Sequence, residues 1–159
     1  MIILKIVILL LIIALIAGYL VRRWKRKRAL LVVQSASKKA VNQAMVSVAE
    51  MLVAKKIVEP NEPNAVPKLV SDIWGRGVLA FEFSFGHTDL KKDQLESLRI
   101  RINELIEAYA RKEHIASKYE YPVFYVTDIW LYHDALHVDV ANVVNEPTRE
   151  YIEDLRKVE

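Results

Sequence analysis

The sequence predicts an α+β fold: an N-terminal transmembrane helix, a juxtamembrane helix, then a small antiparallel-rich sheet in the order β-α-β-β with helices packed on it. Three observations lead there. Residues 2–21 are a 20-residue apolar run in which Lys5 is the only charged side chain. Residues 29–58 contain neither glycine nor proline. After prolines at 60, 63 and 67, three short stretches suit strands, the first of them followed by apolar residues at helical spacing.

The first run, as a helix rising about 1.5 Å per residue, matches a hydrocarbon core of about 30 Å. Arg22, Arg23, Lys25, Arg26, Lys27 and Arg28 follow at once, with Trp24 among them. A cleaved signal peptide carries its charge before the apolar region, whereas here nearly all of it comes after. Residues 1–28 therefore read as an uncleaved, single-pass signal-anchor with a basic cytoplasmic collar, N-out and C-in. The expected location is the inner (cytoplasmic) membrane of a bacterial cell, with the collar drawn to anionic lipid headgroups.

Residues 29–58 read as a juxtamembrane helix or stalk. Ser37, Val41, Ala44, Val48, Met51, Lys55 and Val58 line one stripe, widened by Ala40, Met45 and Leu52. The stripe either packs on the chain's own domain or joins copies as a short coiled coil through 37–58, giving a homo-oligomer. Residues 59–67 form a proline-rich linker that blocks helix. The remaining 68–159 make a small cytoplasmic α+β domain.

Within that domain, residues 68–74 suit a turn or two of helix. From 78 to 85 the chain alternates, with Leu79, Phe81, Phe83 and Phe85 on one side, as a half-buried strand does. Thr88 or Asp89 is the expected cap of a helix over 90–112, whose stripe is Leu95, Leu98, Ile102, Leu105 and Tyr109, with Ile106 beside it. Strands over 123–131 and 136–144 are joined by a tight turn at Tyr132-His133-Asp134-Ala135. An uninterrupted register places Leu131, Ile129, Thr127, Tyr125 and Val123 toward the helix. It places Trp130, Asp128, Val126 and Phe124 on the other face. Asn145 caps a last helix over 147–157, with Pro147 in its first turn and Ile152 and Leu155 as its apolar contacts.

Charge separates the chain into two parts. The overall charge is +3, yet beyond residue 28 there are 16 Lys and Arg against 20 Asp and Glu, a net −4. That balance argues against nucleic acid as a partner. With no cysteine, a disulfide framework, a thiolate metal site and a lipidated cysteine are excluded. No spacing marks a catalytic residue or a cofactor cradle, so neither is expected.

Two groups merit attention on the hairpin. Asp128 faces Asp139 across the strands beside His137, a set whose residue types suit a divalent metal or a counter-cation. Phe124, Val126 and Trp130 would form an aromatic interaction patch if no helix covers them. His87, at a strand-to-helix turn, could meet an anion, although Asp89 beside it opposes that. The resulting expectation is a non-enzymatic, membrane-anchored adaptor or assembly subunit with an unidentified protein partner. The alternative is a metal-dependent hydrolase built on Asp128, His137 and Asp139.

Overall fold

The computed structural model describes residues 2–58, 68–69 and 77–157, with side chains from Ile8 onward and not for 68–69. The chain is α+β, with helices and an antiparallel sheet. The elements are α1 (Ile2–Ala54), β1 (Lys68–Leu69), β2 (Ala80–His87), α2 (Leu95–Lys112), β3 (Phe124–Tyr132), β4 (Ala135–Asn142) and α3 (Glu146–Arg156). A 3-10 turn, Lys92–Gln94, leads into α2. The chain divides into two compact units, Met1–Ala36 and Ser37–Glu159.

The first unit belongs to α1. Its large apolar side chains at 8–13, 15, 16 and 19–21 are all exposed, from 48% at Ile8 to 74% at Leu15. Among the described residues no helix is long and apolar enough to cross a membrane. A stretch of 18 residues counted from Ile8 already takes in Arg22, Arg23 and Lys25. The side chains at 2–7, which complete the expected span, lie outside the described ones.

The second unit is built on the sheet, in the order β1-β2-β4-β3 with every pair antiparallel. The two-residue strand β1 pairs with β2 at Lys68–Glu82 and Leu69–Phe81. These two positions are therefore strand where a helical turn is expected, and 70–76 lie outside the described residues, as does the proline segment 59–67. One face of the sheet carries Phe81, Phe83, Phe124, Val126, Leu136, Val138 and Val140, all buried. They pack with Leu98, Ile102, Ile106 and Ala110 of α2 and with Val41, Ala44, Met45, Val48 and Leu52 of α1. Thus the stripe on 37–58 is largely occupied inside its own unit. Ser37 and Val58 are buried too, whereas Met51 is half-buried and Lys55 is exposed. The compact unit begins at Ser37, ahead of the proline segment, because these α1 side chains supply part of its core.

The other face packs on α3. Val78, Ala80, Ala141 and Val143 meet Tyr151 and Ile152, with Leu155 and Tyr125 at the margin. α3 begins as the sequence suggests: Asn145 Oδ1 accepts from the Thr148 N–H at 3.1 Å, and Pro147 sits in the first turn. The same Asn145 donates to the Gly77 carbonyl at 2.7 Å. Thr148, fully buried, accepts the Leu79 N–H at 2.9 Å. Gly77 has φ +99, open to glycine at little cost, and a Cβ there would stand 3.4 Å from Pro147. This set fixes α3 to the start of β2.

Two local details depart from expectation. α2 starts at Leu95, and Gln94 Oε1 accepts the Lys91 N–H at 2.9 Å just ahead of it. Thr88 accordingly is no helix cap; its hydroxyl donates to the Ile57 carbonyl and ties the end of α1 to β2. The hairpin turn holds His133 at φ 48 and Asp134 at φ 59, the left-handed pair of a type I′ turn. Its register begins as expected, Tyr132–Ala135 through Asp128–Asp139. Then it shifts. Beyond a bulge at Thr127, Val126 pairs with Val140, Tyr125 with Ala141 and Phe124 with Asn142. On this edge strand the Val126 N–H is taken by Asn103 Oδ1 at 2.9 Å and the Ile129 N–H by Asp128 Oδ1 at 2.7 Å. Both bonds blunt an edge that would otherwise recruit another strand.

Two substitutions test this packing. Ile102, fully buried mid-helix, should cost about 2–5 kcal/mol as Ile102→Ala in urea unfolding. Thr148→Val keeps the shape but strands the Leu79 N–H, so a loss of about 1–3 kcal/mol is expected; an unchanged midpoint would show that the α3 clip contributes nothing.

Candidate functional site on the outer sheet face

The bulge decides which side chains meet. Phe124 and Val126 turn inward and are 1% and 0% exposed. Trp130 lies before the shift, on the opposite face, half-buried. The three therefore do not form one aromatic patch. The sequence did hold a signal: apolar residues sit at 124 and 126, then at 129 and 131, so their parity flips at Thr127-Asp128.

What the outer face does bring together is a row of carboxylates from three strands. Glu82 of β2 pairs with Asp139 of β4, which pairs with Asp128 of β3. In the adjacent row Ser84, His137 and Trp130 are aligned in the same way. His137 Nδ1 lies 2.9 Å from Glu82 Oε1. Its ring stacks on Trp130 with centroids 5.2 Å apart and planes at 19°. Tyr132 meets the same imidazole edge-on at 6.0 Å. His133, at the turn, contacts Tyr132 at 4.1 Å.

Asp139 is the unusual member. It is 7% exposed, and its Oδ1 is buried without a hydrogen-bond partner. Its main-chain carbonyl accepts from the Thr127 hydroxyl at 3.3 Å, so the bulge residue bonds the backbone and leaves the carboxylate alone. The neighbouring charges that act on Asp139 are Glu82 and Asp128, both anionic. Burial first, then these two charges, push the Asp139 carboxyl up to about 7. Tyr151 of α3 stands near the same row, and burial raises its phenol as well. A raised acid in a cluster of carboxylates can hold a proton near neutral pH, or can face a cation that replaces it. Among the described residues no group of three or more His, Asp or Glu converges closely enough to hold a metal ion, and Asp128, His137 and Asp139 are no exception.

Two other places were singled out by the sequence. His87 faces Asp89 at 3.6 Å, with both side chains largely exposed. They border an open hollow of about 270 Å³ shared with Val53, Lys56, Ile57, Val58 and Thr88. The carboxylate beside the imidazole disfavours an anion there. In the first unit, Leu20, Val21, Arg23, Trp24 and Lys27 line a shallow cleft, and the Arg28 guanidinium lies 3.7 Å over the Trp24 ring. Arg22, Lys25 and Arg26 are exposed around them.

Comparison of the chain with protein-family models, with curated proteins and with solved structures finds no significant match in any of the three.

The raised Asp139 acid has a consequence for stability. An acid whose folded pKa lies above its unfolded one favours folding while protonated. That contribution is complete below about pH 4 and is lost as pH rises through about 7. Asp139→Asn, which carries no charge at any pH, should therefore be more stable than the parent at pH 8, by on the order of 2 kcal/mol. The gain should shrink to about 1 kcal/mol at pH 5 and to near zero below about pH 4. Thermal melts of both proteins across this range check it; a constant difference would place the titration elsewhere.

Proposed function

We propose that this chain is a single-pass membrane-anchored adaptor or assembly subunit, with its N-terminus outside and the α+β unit in the cytoplasm. The observation that supports this best is the exposed apolar surface of α1 from Ile8 to Val21, ending in six basic residues. Fourteen residues of helix extend about 21 Å, short of a bilayer core; the positions before them, apolar except for Lys5, bring the run to about 30 Å. Water is a poor surrounding for such a surface, since burial of apolar area is worth about 25 cal/mol per Å². A bilayer covers it, and the cations that follow favour the cytoplasmic leaflet and its anionic headgroups. Trp24 beneath the Arg28 guanidinium fits the interfacial level, where an apolar ring and a polar edge are both satisfied. The adaptor role is supported by a compact domain whose outer face carries aromatic and acidic groups on the same chain as the anchor.

The chain has no cysteine, so single-cysteine reporters are unambiguous. Ile3→Cys should react with an impermeant thiol reagent in intact cells, and Gln34→Cys only after lysis. The reverse pattern would refute the orientation. For the adaptor role, a photo-crosslinker in place of Tyr132, which is 60% exposed, should give one discrete adduct in native membranes. No adduct from this or neighbouring sheet positions would argue against it.

A further inference from the structure

We propose that α3 is a pH-controlled cover of the sheet, opening more readily once Asp139 beneath it ionises, while the rest of the unit stays folded. This behaviour depends on neither the anchor nor the adaptor role. Asp139 is 7% exposed, and its Oδ1 is sealed from solvent without a hydrogen-bond partner. The carboxyl therefore cannot hydrate as it ionises unless something on this face moves. The strands on both sides of Asp139 are fixed by their pairing and by the core behind them, where α1 and α2 lie. α3 is the helix on the near face, and its Tyr151 reaches the row. The Thr127 hydroxyl hydrogen-bonds with the Tyr151 phenol, on which the Asp139 and Asp128 charges also act.

The attachment of α3 is uneven. Its first turn is clipped by Asn145 to Gly77 and by Thr148 to Leu79, through groups that do not titrate. Beyond that turn, Tyr151, Ile152 and Leu155 hold it on Val78, Ala80, Ala141 and Val143. Eleven residues are too few for a stable helix alone in water, so α3 depends on this contact. The charged groups around Asp139 either oppose its ionisation or are engaged elsewhere. Glu82 of β2 and Asp128 of β3 are its cross-strand neighbours, and both are anionic. His137, on β4 itself, meets Glu82 at 2.9 Å. Lys68 of β1 pairs with Glu82, a second strand away from Asp139, which the spacing of strands puts at about 10 Å. Arg149 of α3 is taken up by Glu146 and Glu153, and Glu150, Asp154 and Arg156 are exposed. Burial and the two neighbouring carboxylates accordingly push the Asp139 acid up to about 7.

The test is hydrogen exchange of the full chain in maltoside micelles from pH 5.5 to pH 8. Rates are read as protection factors, which removes the intrinsic pH dependence of exchange. Protection of the α3 amides from Glu150 to Arg156 should fall at least about tenfold across this range. The α2 amides from Leu98 to Ala110 report global unfolding, which carries the same proton linkage. The α3 amides should therefore be at least about tenfold less protected than these at every pH, as a separate local opening requires. Asp139→Asn should flatten the α3 profile. Asp128→Asn, at an exposed position, removes one repelling charge and should reduce the fall. A flat profile in the parent protein, a fall that persists in Asp139→Asn, or equal protection of α3 and α2 would overturn the proposal.

Discussion

Strand β4 is the constraint on which the second unit depends. It lies between β2 and β3, and both of its faces are covered. Leu136, Val138 and Val140 sit in the core made with α1 and α2, while Ala141 meets the side chains of α3. A strand covered on both faces cannot slip by one residue without moving every buried side chain to the wrong layer. Its register fixes β2 on one side and β3 on the other, and through them the positions of Glu82 and Asp128. The acidic row is thus a by-product of strand pairing that the apolar core enforces, and no local turn or loop is needed to assemble it.

Much of this was legible in the sequence because each element satisfied its own rule. The alternation at 79–85, the i, i+3, i+4 spacing from Leu95 and the Asn145-x-Pro147 start of α3 each named an element to within a few residues. The type I′ turn at His133-Asp134 also fixed the first five facing pairs of the hairpin. The bulge escaped because one continuous period was applied to a strand whose apolar parity changes partway. That single inserted residue sent Phe124 and Val126 to the core and left Trp130 outside. α2 was displaced in a milder way. Its buried side chains are Leu98, Ile102, Ile106 and Ala110, one residue round from the stripe centred on Leu105 and Tyr109, which are only half-buried. Small side chains such as Ala110 reveal little by hydropathy, yet they mark where a helix approaches most closely.

The helix α1 shows why a good stripe does not by itself define a partner. Val41, Ala44, Val48 and Leu52 have the spacing of a weak coiled coil and of an intramolecular packing face alike. The tie between Thr88 and the Ile57 carbonyl, together with the burial of Val58, holds the end of this helix on the sheet. Self-association through the same side chains would first have to withdraw them from that core. The proline-rich segment 59–67 lies outside the described residues, and the compact unit on either side of it begins at Ser37. For the first unit the sequence remains the richer source. Exposure of the apolar side chains from Ile8 onward is what a membrane segment and an uncovered helix have in common, and the basic residues at 22–28 are the ground on which the anchor is proposed.

Asp139 illustrates how a buried carboxylate can be retained on a strand whose covered positions are apolar apart from it and Asn142. A carboxylate removed from water without a partner is costly, and like charges on both sides add to the cost. Protonation near neutral pH relieves it, which is the state the free protein can adopt. The cost is set by the register that the apolar core enforces, because that register places Asp139 between Glu82 and Asp128.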